Sequence, residues 1–322
     1  MQLSREDLLL AYRRMRRIRD FEDRVHIEFA AGEMPGFVHL YAGEEASAVG
    51  VCMNLTDEDM ISSTHRGHGH CLAKDTDVNG MMLELYGRKD GICGGKGGSM
   101  HIADLSKGMM GANGIVGGGP PLICGAALTA KTLGTGNVAV AFTGDGGSNQ
   151  GTTFEAMNFA AVLKLPVIFV FENNGYAETT ASHWSVACKD IVNRAQAFGM
   201  PGISVEGTDF FAVWDAAREA VARARAGGGP TLMEVKVPRF YGHFEGDAET
   251  YRAEGEVAAL KRDHDCLKIF RRRVVEAGLL SDADLDLVDA EVGDEIEASV
   301  MLAKSSPMPG PEDLLTDVYV RY

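Results

Sequence analysis

Two short stretches decide most of what this chain can become. Residues 138–142 (VAVAF) and 167–171 (VIFVF) are continuously apolar and rich in β-branched or aromatic side chains. Neither alternates apolar with polar residues, so neither suits a sheet with one wet face. Between them, residues 152–164 place Phe154, Met157, Ala160, Ala161 and Leu163 at helical spacing, and Pro166 opens the second run. Buried strand, helix, buried strand is the pattern of a parallel sheet covered by helices on both faces. The fold class is α/β.

The same alternation returns downstream. Residues 203–206 read as a strand, Thr208 or Asp209 as the cap of a helix over 211–226, and 232–237 as another strand. At the start, Ser4 followed by Asp7 predicts a capped helix over about 4–30, with Leu8, Tyr12, Met15, Ile18, Phe21 and Val25 on one face. The interleaved Arg13, Arg14, Arg16, Arg17 and Arg19 read as a solvated face. From about residue 254 to 322 the chain reads as a helical extension. With no internal repeat and no linker, residues 1–322 are expected to form one α/β domain with helical extensions at both ends.

Composition narrows the partners. A net charge of −15 repels nucleic acid and anionic membranes. The six cysteines contain no C-x-x-C pair, which removes zinc ribbons and thioredoxin-like sites and suits a reducing compartment. There is no apolar signal core and no 18-residue apolar run, so a cytoplasmic protein without membrane spans is expected.

In a right-handed strand–helix–strand unit, the loops after both strands leave the sheet at the same edge. Asp145 follows the first strand and Asn174 the second, 29 positions later. A carboxylate and an amide oxygen there suit Mg²⁺, which takes oxygen ligands at roughly 2.0–2.1 Å and shares its sphere with phosphates. Gly144, Gly146 and Gly147 let backbone N–H groups approach an anion, and a helix starting near Gly151 adds a favourable dipole.

Gly144-Asp145-Gly146 followed by Asn173-Asn174 resembles the thiamine-diphosphate fingerprint. The wider stretch Gly144 to Gly151, with Phe154-Glu155-Ala156 and Lys164-Leu165-Pro166, is similar to the alpha subunits of pyruvate, branched-chain 2-oxo-acid and acetoin dehydrogenases. The likeness extends to Arg66-Gly67-His68-Gly69, the run from Gly95 to His101, the run from Asn113 to Gly117, Tyr241-Gly242-His243, Asp247 and Tyr251-Arg252. It implies that Asp145, the Asn174 side chain and the Tyr176 carbonyl ligate Mg²⁺. Arg66, Gly146, Gly147 and His243 would meet the diphosphate, with His65 standing where many relatives have tyrosine. Gly114 and Val116 would hold the aminopyrimidine through their backbone. His243 would also serve catalysis, stabilising an oxyanion and assisting acyl transfer to a lipoyl group.

The resemblance further implies an α2β2 assembly, in which a beta subunit supplies the cofactor-activating glutamate, and a lipoyl-bearing acyltransferase as acceptor. Kinase-regulated relatives carry serine after this histidine. Phe244 stands here, so no such switch is expected. The segment from Gly242 to Asp247 is more similar to acetoin dehydrogenases than to pyruvate enzymes, which favours acetoin as substrate over pyruvate or branched-chain oxo acids.

Three other motifs read more plainly. Gly94 to Ser99 fails the P-loop pattern, since Ser or Thr does not follow Lys96 directly. Gly134-Thr135-Gly136 precedes a strand instead of following one, which removes a dinucleotide fingerprint. His65, His68 and His70 read as phosphate or loop residues, not a zinc site. Met81, Met82, Met109 and Met110 read as core or loop filler.

Overall fold

The two apolar runs are neighbouring strands. The structure, a computed structural model, describes residues 3–320, so residues 1–2 and 321–322 of the expected domain lie outside the described residues. The elements in chain order are α1 (Arg5–Ala30), α2 (Glu45–Cys52), β1 (Met60–Ser62), α3 (His68–Ala73), α4 (Val78–Leu85), α5 (Gly119–Leu133), β2 (Ala139–Gly144), α6 (Gly151–Val162) and β3 (Val167–Asn173). A small hairpin, β4 (Tyr176–Ala177) and β5 (Thr180–Ala181), leads into α7 (Ser182–Ser185). Then come β6 (Gly202–Glu206), α8 (Phe210–Arg225), β7 (Thr231–Lys236), α9 (Glu256–Asp263), α10 (Cys266–Glu276) and α11 (Asp282–Ser305).

Five strands form one parallel sheet in the order β1-β2-β3-β7-β6. The chain moves one way along the sheet from β1 to β3, jumps to the far edge at β6, and steps back to β7. Right-handed crossovers therefore put α8 on the face opposite α5 and α6. Side chains divide accordingly. Val138, Val140, Phe142, Ile168 and Val170 join the core with α1, α2 and α8, whereas Ala139, Ala141, Val167, Phe169 and Phe171 pack with α5 and α6. Both faces are dry, which is why the runs carry no alternation.

β2 and β3 extend beyond their apolar stretches, because Thr143 pairs with Phe171 and Gly144 with Glu172. Backbone pairing does not require an apolar side chain, and this extension brings the polar loops to the edge.

At the start of α1, Ser4 and Asp7 form a reciprocal cap: the Asp7 N–H donates to the Ser4 hydroxyl at 3.1 Å and the Ser4 N–H to Asp7 at 2.8 Å. The arginine face of α1 differs from expectation. Arg19 is buried and pairs with Glu45 at 2.6 Å and Asp265 at 3.3 Å. Arg13 pairs with Glu291 and Arg17 with Glu295 on α11, which lies along α1. A one-dimensional pattern cannot show a second helix arriving from 278 positions away. Among the described residues, no helix is long and apolar enough to cross a membrane.

Candidate active site

A cavity of about 580 Å³ opens at the C-terminal edge of the sheet. The loops that follow the bordering strands supply most of its lining. β1 delivers His65 and Arg66, β2 Asp145, Gly146 and Gly147, β3 Asn174 and Tyr176, and the segment after β7 Arg239 and His243. The loop before α5 closes one side with Gly114 and Val116. All ten residues singled out from sequence thus line one space.

Asp145 is 2% exposed, and among the described residues its Oδ2 has no hydrogen-bond partner. Burial pushes its carboxyl up to about 6, partly offset by backbone N–H groups and by Arg239. An orphaned buried carboxylate oxygen costs about 1–3 kcal/mol. That cost is removed when a cation binds, so the site fits Mg²⁺. Asn174 donates its amide N–H to Glu44 at 3.0 Å and accepts weakly from the Tyr176 N–H at 3.4 Å. The Tyr176 carbonyl receives Arg239 Nη1 at 3.2 Å. A carbonyl has two lone pairs, so one stays available. At Gly146 an added Cβ would come 2.6 Å from the Ala177 Cβ, and at Gly147 2.5 Å from the Thr143 methyl. Only glycine lets the loop turn this tightly.

Two buried guanidinium groups make the cavity attractive to an anion. Arg66 donates to the carbonyls of Leu40 and His243, the latter at 2.9 Å. Its own value falls to about 10, through burial first and Arg239 second. Arg239 is fixed by Tyr251, whose hydroxyl donates to Asp247 at 2.6 Å, and Asp247 in turn accepts the His243 N–H at 2.7 Å. A carboxylate, a phenol and a guanidinium therefore hold the His243 loop.

Three imidazoles meet at the rim. The rings of His39, His65 and His243 lie 4.7–5.2 Å apart, and burial followed by Arg66 lowers them to about 3, 2 and 4 respectively. Neutral at pH 7, each offers one N–H and one acceptor, the form suited to donating toward a phosphate or a developing oxyanion. The spacing motif His65, His68, His70 does not act as a unit. His68 is buried between Glu22 and Ser99, and His70 between Ser63 and Glu172. Met81, Met82 and Met109 are fully buried, away from the cavity lining, whereas Met100 lines it. Gly134 ends α5 in the left-handed conformation at φ 66°, which accounts for the false dinucleotide pattern.

Sequence reasoning missed His39, Glu44 and Arg239. Arg239 had a signal, since it follows a buried strand whose loop leaves at the same edge. His39 and Glu44 precede α2 in a segment without motif or periodicity, and only the fold brings them in.

A parallel sheet with glycine turns, an orphaned carboxylate and paired arginines at one edge suits a diphosphate cofactor. The profile of the dehydrogenase E1 component family matches residues 13–312, and the chain belongs to that family of thiamine-diphosphate-dependent dehydrogenases. It is similar to the alpha subunit of acetoin:2,6-dichlorophenolindophenol oxidoreductase from Cupriavidus necator, 61% identical over 322 residues, covering 100% of this chain and 97% of the relative. The same subunit from Bacillus subtilis is 54% identical, with 100% and 96% covered. The pyruvate dehydrogenase E1 component subunit alpha of Rhizobium meliloti is 40% identical, with 98% and 91% covered.

Proposed function

We propose that this chain is the alpha subunit of a cytoplasmic α2β2 component that cleaves acetoin oxidatively and passes the acetyl unit to lipoamide on an acyltransferase partner. The observation that carries the proposal is the buried, unpartnered Asp145 carboxylate beside two arginines at the sheet edge. Identity of 61% and 54% to two acetoin-oxidising alpha subunits, against 40% to a pyruvate subunit, supports the substrate. The six free cysteines accord with a reducing compartment.

In this reading Asp145, the Asn174 side chain and the Tyr176 carbonyl hold Mg²⁺. Arg66, His65 and the backbone of Gly146 and Gly147 bind the diphosphate, and Gly114 and Val116 present backbone groups to the aminopyrimidine. Thiamine diphosphate would supply a carbon nucleophile for the carbonyl and an electron sink for the pair released when the adjacent C–C bond breaks. Neutral His243 donates an N–H to the oxygen on which charge develops and assists acyl transfer to the lipoyl sulfur.

The beta subunit is the source of the cofactor-activating glutamate. Its seat is the outward face of α5 and α6, where Leu122, Leu133 and Val162 are exposed and run toward Ile115 and Val116 at the cavity mouth. A Cβ at Gly125 would meet nothing within 4 Å, and a helical glycine costs about 1 kcal/mol against alanine. Glycine at an open position lets another backbone approach closely.

The test is turnover of acetoin, pyruvate and branched-chain oxo acids with an artificial electron acceptor. The chain alone should be inert, and the co-expressed α and β chains should turn over acetoin fastest. Activity on pyruvate with none on acetoin would favour the pyruvate dehydrogenase reading. Full turnover without the beta chain would remove the two-subunit site.

A further inference from the structure

We propose that Glu84 is a positioning residue: its carboxylate shapes the glycine-rich loop 91–101 and thereby sets where Met100 stands in the cavity. The inference rests on the thiamine diphosphate reading above and adds to it a residue outside the cavity lining.

The loop's superficial likeness to a phosphate-binding loop has a physical basis. Gly94, Gly95 and Gly98 adopt the left-handed conformation, at φ 69°, 72° and 60°, and such turns gather backbone N–H groups around one point. Here the chain itself fills that point. Glu84 Oε2 accepts the N–H groups of Cys93 and Gly95, each at 2.8 Å. Its Oε1 accepts those of Gly97 at 2.7 Å and Gly98 at 3.0 Å. Lys96, which a phosphate-binding loop would aim at its anion, instead donates to the Thr316 carbonyl at 2.6 Å. Glu84 is fully buried in the last turn of α4. A carboxylate there opposes the helix dipole, and burial adds to the cost. Four N–H partners offset both.

Residues 91–101 contain no helix or strand, and glycine-rich backbone is costly to order. Glu84 holds residues 93–98, and the Ser99 hydroxyl then meets His68 Nε2 at 2.9 Å. Met100, next in the chain, lines the cavity. Its sulfur lies 3.8 Å from where a Cβ on Gly114 would stand. The thioether is therefore beside the residue whose backbone would hold the aminopyrimidine. A shift of the loop moves that support.

The competing explanation is that Glu84 only holds the fold. Glutamine keeps the shape but replaces one accepting oxygen with N–H groups that face other donors. Two measurements on the assembled α and β chains separate the explanations. Without cofactor, Glu84→Gln should speed amide hydrogen exchange in residues 93–98 about tenfold or more, with the sheet unchanged. With Mg²⁺ present, calorimetric titration should show thiamine diphosphate binding weakened about tenfold, as when a supporting contact is lost. Met100→Ala removes the group being positioned, so adding Glu84→Gln to it should cost less than about twofold. Unchanged exchange or wild-type affinity in Glu84→Gln would overturn the proposal. Equal losses in both backgrounds would do the same, because independent effects multiply. If Glu84→Gln does not assemble, Glu84→Asp decides, since it keeps both acceptors but draws them back by one methylene. Weakened cofactor binding then supports the proposal, and unchanged binding overturns it. Asp145→Ala tests the underlying reading separately. If that variant binds thiamine diphosphate like wild type, the reading fails, while the exchange measurement still reports on Glu84 alone.

Discussion

Two buried aspartates stand at opposite ends of the same sheet and are treated in opposite ways. Asp59, just before β1, is fully buried and saturated. It accepts the Val138 N–H at 2.8 Å, the Thr56 N–H at 2.8 Å and the Thr56 hydroxyl at 3.1 Å, and it pairs with Arg225. Asp145, just after β2, is nearly as buried, yet Oδ2 has no partner among the described residues. The rest of each edge follows suit. At the N-terminal edge the cations close helix ends, with Lys131 donating to the carbonyls of Leu163 and Lys164, and Arg225 to that of Gly136. At the C-terminal edge two arginines and three neutral histidines surround open space. Saturated polar groups hold a fold together, and unsaturated ones wait for a ligand.

The comparison breaks most easily at Asp145. Asp145→Ala should weaken magnesium-dependent thiamine diphosphate binding about a thousandfold, the equivalent of about 4 kcal/mol of lost metal interaction. The ligand-free protein should melt no lower than wild type, because the side chain removed had an unmet oxygen. Calorimetric titration and a thermal scan check both halves, and a large drop in melting temperature would assign Asp145 to the scaffold.

Asp59→Ala should give the mirror image. Removing one partner of a buried ion pair costs about 3–5 kcal/mol, read by denaturant unfolding. Cofactor affinity of the folded protein should stay within about threefold, since nothing at the cavity changes. Loss of affinity with full stability would reverse the contrast.

The smallest effect concerns acid. Burial and Arg66 hold the His39 imidazole down at about 3, whereas an unfolded chain takes up that proton near about 6.5. His39 therefore contributes full stability above about pH 6.5, and this contribution is lost as pH falls toward 3. His39→Asn should flatten the stability–pH slope in that window by up to about 1.4 kcal/mol per pH unit.

Much of this was legible beforehand. The uninterrupted apolar runs forced a parallel sheet, and right-handed crossovers then placed the Asp145 and Asn174 loops at one edge without any coordinates. The arginines of α1 were misread because α11, their partner, lies far along the chain. The histidine motif was misread because His68 and His70, on α3, turn into the core while His65, ahead of α3, lines the cavity, a choice made by α3 packing and not by spacing.

Local chemistry is written in local sequence: strands from β-branched runs, a helix start from Ser4 and Asp7, a tight anion-facing turn from glycines beside Asp145. These depend on interactions within a few residues, and the chain alone determined them. His39 beside His243, Glu44 against Asn174 and Arg239 on the Tyr176 carbonyl join segments more than 60 positions apart. Such pairings are decided only when a common hydrophobic core fixes how the layers stack, which is why the tertiary structure alone could show them.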